Sequence, residues 1–302
     1  MSLKKNVIYN YLGNFLAVAV NFLLVPIYLE YLSVEEYGVV TFFSTLTSAF
    51  VILDMGLGLT VNKVEIIAIF TIPEYFIISY NEEKVKNSNF SDLKPIALKE
   101  NIPFYEVDSV VGKRTKDYKN IIADLNPDII LVLGWYYMVP KSIRDISKYG
   151  SWGIHASLLP DYAGGAPLVW AIINGEEKAG VTLFRMENGV DDGDIIKQIE
   201  FPIKDSDTIK EVYEKATLAS KKILNEVLTD RDKIKFTPQD KSKIKIYPQR
   251  SPKDGLIDWS WETKKIKNFI RAQTKPYPGA YTIIEGNKVT IWDAEIEINK
   301  NE

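Results

Sequence analysis

The sequence predicts an α/β protein on a parallel sheet, with a β-rich unit at its C-terminal end and two apolar helices ahead of it. Three observations lead there. Between residue 64 and about 203, short apolar β-branched runs alternate with helical or polar segments, the pattern of strands covered on both faces by helices. From about 246 the chain turns β-rich. Residues 1–62 carry only six charged side chains, Lys4, Lys5, Glu30, Glu35, Glu36 and Asp54, in a chain of 302 residues with 37 Lys and Arg and 40 Asp and Glu. The divisions fall at 1–62, 63–203, 204–245 and 246–302.

From Asn6 to Leu29 no residue is charged, a run of 24 that exceeds the roughly 20 residues of a spanning helix. A second uncharged run covers Tyr37–Leu53, and the short acidic link Glu30–Glu36 makes the two a hairpin. Lys4, Lys5 and Lys63 flank its outer ends, which puts both in the cytoplasm. The expectation is a hairpin in the cytoplasmic membrane over residues 6–60, with the rest of the chain facing the cytoplasm. A hairpin buried in a soluble core is the alternative. A signal peptide fits less well, because no small-residue cleavage site follows the first run.

Val64–Ile72 reads as a buried strand ended by Pro73, and the Asn- and Ser-rich stretch 81–92 as a surface loop. Leu93–Glu100 reads as a short helix, Pro103–Val107 as a strand, Tyr118–Leu125 as a helix and Ile129–Leu133 as a wholly apolar strand. Ligands of such sheets lie at the carboxyl ends of the strands, where Gly134, Trp135, Tyr136 and Tyr137 follow. A strand over 149–154 leads to His155. Pro167 suits the first turn of a helix over 167–174 that Gly175 closes. Val181–Met186 and Ile195–Phe201 are strands around the acidic turn 189–194. Asp205 or Ser206 could cap a long amphipathic helix marked by Ile209, Val212, Tyr213, Ala216, Ile223, Leu224 and Val227. The charged stretch 230–245 reads as a linker, and Lys288–Ile298 is the clearest C-terminal strand.

Composition narrows the chemistry. The absence of Cys excludes disulfides, thiolate zinc sites, iron–sulfur clusters and Cys nucleophiles, and a single His excludes poly-His metal sites. No metal is expected. A net charge of −3 provides no global field for nucleic acid. Dinucleotide, P-loop and Gly-x-Ser-x-Gly patterns are missing. What remains is His155, at a strand end before a loop stiffened by Pro160 and Pro167, and a second loop that brings Asp191, Asp192 and Asp194. A carboxylate beside an imidazole fixes its tautomer. A structural His and a solvated acidic turn are the plainer readings.

Two resemblances add to this. Lys-Lys-Asn-Val-Ile-Tyr-Asn-Tyr at 4–11, Val-Pro-Ile-Tyr-Leu at 25–29, Glu-Glu-Tyr-Gly at 35–38 and Leu-Asp-Met-Gly-Leu-Gly at 53–58 resemble the start of polysaccharide flippases. Only the first two helices of such a transporter would be present, so transport is not expected. His-Ala-Ser-Leu-Leu-Pro at 155–160, Gly164, Ala166-Pro167, Trp-Ala-Ile-Ile-Asn-Gly at 170–175, Gly-Val-Thr-Leu at 180–183 and Asp-Asp-Gly-Asp at 191–194 resemble the folate-dependent formyltransferases. The 36-residue step from His155 to Asp191 matches that family. The stretches Arg250–Trp259 and Arg271–Ala280 resemble its small C-terminal β-barrel.

The second resemblance implies a Rossmann-like sheet and transfer of a formyl group from 10-formyltetrahydrofolate to a primary amine. His155 would stabilise the tetrahedral oxyanion, and Asp191 would tune His155 and help the proton reach the departing nitrogen. Folate would lie against Tyr137, Met138 and Val139, near Gly165, and along Glu187, Asn188, Gly189, Val190 and Asp191. Trp135 and Tyr136 could add walls or simply pack the core. Two departures stand out. Where the family has Asn, two residues before the His, this chain has Gly153. Either another donor or the Gly153 N–H would have to serve as oxyanion donor, and Asn at 153 is expected to raise the rate. The family's first strand–turn–helix unit is also missing, with flippase-like sequence in its place. Phe50–Asp54 and Gly56–Gly58 could imitate the strand and turn. Joining flippase-like and formyltransferase-like sequence suggests an amino-sugar nucleotide of surface-polysaccharide synthesis as the amine. Methionyl-tRNA is the alternative, although residues 241–302, with 12 Lys and Arg against 8 Asp and Glu, are only mildly basic. An inactive membrane-anchored fusion relic is the third reading.

Overall fold

A computed structural model of the protein describes residues 64–76, 85–86, 90–107, 114–135, 137–229 and 234–297, all within the compact unit Thr60–Glu302. The hairpin expected over 6–60, the imitation strand and turn at 50–58, and Tyr136 lie outside the described residues. Among the described residues no helix is long and apolar enough to cross a membrane.

Strand β1 (Ile69–Thr71) is shorter than the apolar run around it and is followed by two short strands, β2 (Tyr75–Phe76) and β3 (Val85–Lys86), which pair antiparallel. Helix α1 (Lys94–Lys99) leads to β4 (Phe104–Glu106), parallel to β1 with Phe70 opposite Tyr105. Their stacked rings, 4.8 Å apart, lie edge-on to Tyr118. Helix α2 (Lys119–Leu125) stops at Asn126, whose φ of 48° supplies the left-handed residue that commonly ends a helix. Strand β5 (Ile130–Val132) follows, then the single turn α3 (Lys141–Arg144) and β6 (Ser151–His155), parallel to β5.

Beyond β6 the sheet changes direction. A short strand β7 (Ala163–Gly164) and helix α4 (Pro167–Ile173) precede β8 (Lys178–Arg185), which runs antiparallel to β6, and β9 (Ile195–Pro202) runs antiparallel to β8. The expected parallel pairing therefore holds for β1–β4 and β5–β6, while the β8–β9 wing is antiparallel. The link 186–194 is too short for the dozen or more residues of a parallel crossover. The sheet order is β5–β6–β8–β9, and among the described residues it shares no strand with the β1–β4 pair.

Helix α5 (Ile209–Thr229) covers one face of this wing. Ile209, Val212, Ala216, Ala219, Ile223 and Val227 recur at helical spacing, and all are buried. Its cap is Thr208, not the expected Asp205 or Ser206. The Thr208 hydroxyl accepts from the Lys210 N–H at 3.2 Å, and Glu211 accepts from the Thr208 N–H at 2.8 Å, a capping box.

The C-terminal part departs from the expected barrel. Strand β10 (Ile246–Tyr247) pairs with β7 in the catalytic half, helix α6 (Thr263–Arg271) follows, and β11 (Ala280–Ile284) and β12 (Asn287–Ile291) form a hairpin. No barrel closes among the described residues, and the strand expected over 288–298 ends at Ile291. Glu285 and Gly286, with φ of 50° and 77°, form the two-residue turn that matches strand twist. The helix, in a stretch read as β-rich, carries Ile266, Phe269 and Ile270 three and four residues apart. It buries Phe269 and Ile270 in one continuous core with Leu168, Ile172, Leu183 and Val212.

Candidate active site

His155 is the last residue of β6, opposite Thr182 of β8. The loop beyond it is fastened from below by the Thr182 hydroxyl, which is fully buried. That hydroxyl donates to the Ser157 carbonyl at 2.7 Å and accepts from the Leu159 N–H at 3.1 Å and from Gln198 Nε2 at 2.9 Å. Gln198 also donates to the Leu159 carbonyl, and Ser157 Oγ to the Asp161 carbonyl. So anchored, the loop turns back at Tyr162, whose φ of 57° lies in the left-handed region.

The Tyr162 carbonyl meets His155 Nε2 at 2.8 Å. A carbonyl can only accept, so Nε2 carries the proton of this contact. The other ring nitrogen, Nδ1, faces Asp191 Oδ2 at 3.4 Å, and the same oxygen accepts from the Gly164 N–H at 2.8 Å. The side chains of His155 and Asp191 are 11% and 21% exposed, so the pair is sheltered but reachable. Asp191 itself has φ of 51°. Non-glycine residues in this region store strain, and such residues gather at functional sites. Tyr162 is held in place by its hydroxyl, which donates to Glu176 at 2.6 Å, and by its ring, stacked on Tyr247 at 4.7 Å. Burial first, and then Glu176, pushes that hydroxyl up, so it stays a neutral donor. A concavity of about 260 Å³ lies behind this loop, between Tyr162, Lys178 and Tyr247, and neither His155 nor Asp191 borders it.

The expected folate loops meet each other. Trp135, Tyr137, Val139 and Met186 share one apolar cluster with Ile143. Trp135 is thus a packing residue, and Val139 backs the loop from inside. Met138 is almost wholly exposed, and Glu187, Asn188, Gly189 and Val190 stay at the surface. Arg144 binds the two loops together, donating to the Glu187 carbonyl and, at 2.8 Å, to Asn188 Oδ1. Exposed backbone flanked by Met138 and Val190 suits a flat heteroaromatic ring with polar edges, so these residues fit the folate donor. Gly165, next to the Gly164 whose N–H meets Asp191, packs against Gln249. Its N–H donates to the Tyr247 carbonyl at 2.8 Å, and a Cβ there would run into the Gln249 backbone. Packing explains this glycine. Among the described residues no cluster of three or more potential metal ligands occurs.

Gly153 sits mid-strand, opposite Phe184. Ser151 accepts from the Met186 N–H at 2.8 Å. By the alternation of an antiparallel pair, the Gly153 N–H then points at Phe184. The ladder uses that amide, and a role as oxyanion donor would require it to leave the sheet. A Cβ at 153 would stand 3.0 Å from the Phe184 ring and 3.4 Å from Met186. Asn at 153, expected from the sequence to raise the rate, would therefore need Phe184 to give way by a few tenths of an ångström. Gly153→Asn is instead expected to lower stability by about 1–3 kcal/mol through overpacking, with no gain in turnover, as thermal melting and initial rates would show.

Thr182, Gln198, Tyr162 and Gln239, which shape the site, escaped sequence reading. Nothing in a single sequence separates a structural Thr or Gln from one that holds a loop.

An imidazole at the end of a central strand, a carboxylate from the next turn and a rim for a flat ring define an α/β group-transfer enzyme. Family profiles then specify which one. The profile of formyl transferase matches residues 53–228, and that of the formyl transferase C-terminal domain matches 250–302. The chain belongs to the formyl transferase family, enzymes that take the formyl group from 10-formyltetrahydrofolate. It is 39% identical over 209 residues to the bifunctional polymyxin resistance protein ArnA of Wigglesworthia glossinidia brevipalpis, covering 68% of this chain and 32% of that protein. It is 34% identical over 210 residues to the methionyl-tRNA formyltransferase of Caldanaerobacter subterraneus subsp. tengcongensis, covering 69% and 67%. The chain thus spans about a third of the first relative and two thirds of the second. A sugar N-formyltransferase from Shewanella sp FDAARGOS_354 shares the fold with a TM-score of 0.56 at 19% identity, covering 78% of this chain and 100% of that one.

Proposed function

We propose that this chain transfers the formyl group of 10-formyltetrahydrofolate to the primary amine of an amino-sugar nucleotide used in surface-polysaccharide synthesis. The observation that carries the reading is the His155–Asp191 pair at the end of β6, within 3.4 Å and still open to solvent. The folate donor supplies an activated formyl carbon, which the amine attacks as the bond to N10 breaks. To serve this centre, the His155 Nε2–H would have to leave the Tyr162 carbonyl and turn towards the developing oxyanion. Asp191 orients the ring and is the acceptor through which the amine's surplus proton passes towards N10. The resemblance to polysaccharide flippases over 4–38 supports the sugar, since export and formylation would then serve one polysaccharide, whereas residues 53–58 fall within the formyl transferase profile. The mildly basic C-terminal stretch supports it over a tRNA. Methionyl-tRNA is the second reading, favoured by the 34% identity to a methionyl-tRNA formyltransferase.

The deciding experiment is mass spectrometry of the products from a panel of amino-sugar nucleotides and charged initiator tRNA, with 10-formyltetrahydrofolate as donor. A mass gain on a sugar nucleotide is expected. Formylation of the tRNA alone would replace this reading with the second, and no product with either would leave the inactive relic. Chelator treatment is expected to leave the rate unchanged, and a chelator-sensitive rate restored by a divalent ion would contradict the metal-free site. The reading also places the chain on the cytoplasmic membrane through residues 6–60, catalytic part inwards, supported by the uncharged runs 6–29 and 37–53. Full-length chain should then sediment with membranes and resist alkaline extraction, and recovery in the supernatant would remove the anchor.

A further inference from the structure

Residues 229–249 fall between the two family profiles, and their charge suggested a loose connection. The structure shows a segment fastened to the catalytic apparatus at three points. Ile195 and Thr237 exchange both backbone hydrogen bonds at 2.8 Å. Strand β10 pairs with β7, which ends at Gly164, whose N–H holds the Asp191 carboxylate. Between these, Gln239 is buried and donates from Nε2 to two carbonyls of the acidic turn, Asp191 at 2.7 Å and Gly193 at 2.6 Å.

We propose that Gln239 is a positioning residue for Asp191, the one side chain of the connecting segment that this reading gives a part in shaping the active site. This rests on the His155–Asp191 reading above. Asp191 has a left-handed φ, which a residue with a Cβ keeps only where its surroundings hold it. The two N–H groups of Gln239 grip the chain on both sides of Asp192 and lock that conformation. The Asp191 carboxylate is thereby aimed at His155 Nδ1 and the Gly164 N–H. The Gln239 amide oxygen has no partner among the described residues, which leaves the two donated bonds as its polar contacts there. A Gln placed only for packing would not need to be buried with both donors on one turn.

The test uses the chain's single His. Full-length protein labelled with 15N-histidine gives one set of imidazole signals, read at fixed pH without substrate. Asp191→Ala is expected to move them. Gln239→Met, which keeps length and volume but deletes both donors, should move them in the same direction and add little in the Asp191→Ala background. Turnover with the amine found above should fall on the order of 10- to 100-fold, with KM for 10-formyltetrahydrofolate within about twofold. Lys243→Met, on the same segment but exposed, should leave signals and turnover unchanged. Should Gln239→Met not fold, Gln239→Glu, of nearly equal size but without the donors when ionised, reads the same signals. Ring signals unchanged in the Gln239 variant, or moved equally by Lys243→Met, would overturn the proposal. Signals that ignore Asp191→Ala would instead remove the His155–Asp191 unit beneath it.

Discussion

His155→Ala and Asp191→Ala are each expected to reduce formyl transfer by on the order of 10³-fold while leaving binding of the folate donor within a few-fold. In the proposed reaction the two act on one proton and one developing charge, and they face each other at 3.4 Å. His155 is held by the Tyr162 carbonyl and Asp191 by the Gly164 N–H. The double variant should therefore be little slower than the slower single one, as for groups that work as a unit. Asp191→Asn separates position from charge, because an amide oxygen can still accept from Gly164 but carries no negative charge to face the imidazole. It should bind and melt like the parent yet remain slow. Additive losses in the double variant, or full activity in Asp191→Asn, would count against the mechanism. Steady-state rates with the identified amine, together with donor binding by fluorescence, provide the check.

The second large effect concerns stability. Arg271, the last residue of α6, is buried and donates to Asn268 Oδ1 at 2.9 Å, to the Asp207 carbonyl at 2.7 Å and to the Lys204 carbonyl at 3.1 Å. Burial pushes its guanidinium down, and the nearby Asp205 and Asp207 carboxylates oppose this. It thereby ties the C-terminal helix to the loop between β9 and α5. Arg271→Met retains much of the packing volume but removes the guanidinium from the Asp207 carbonyl and Asn268 Oδ1, while the Lys204 carbonyl keeps the Asp207 N–H, a loss of about 3 kcal/mol. For a unit of this size that corresponds to a drop of roughly 6–12 °C in melting temperature. Donor binding should survive below the new midpoint. A change of melting temperature within a degree or two would show that water replaces the guanidinium at those carbonyls.

The positions of strands and helices were largely readable because each carries its own periodicity. The apolar run at 129–133, Pro167 before a helix and Gly175 after it, and the stripe from Ile209 to Val227 are local signals, and the structure has an element at each. The pairing directions were not readable at β8, since six consecutive buried residues fit a parallel or an antiparallel neighbour alike. The C-terminal helix was overlooked because three apolar residues within nine compete with strong turn signals on either side.

His155 stood out as the one His in 302 residues, whereas Asp191 was singled out from Asp192 and Asp194 of the same acidic turn only by the resemblance to the formyltransferases. Composition and local periodicity act over a few residues, so the sequence by itself determined the α/β class and most of the elements. Tertiary structure alone decided that Gly153 faces Phe184, that Gly165 is a packing glycine, and that Thr182 and Gln239 fasten the loops bearing His155 and Asp191. Each of those depends on which atoms from distant segments share a few ångströms of buried space. A buried hydroxyl or amide takes its role from the partners the fold brings to it, and no spacing along the chain encodes that meeting.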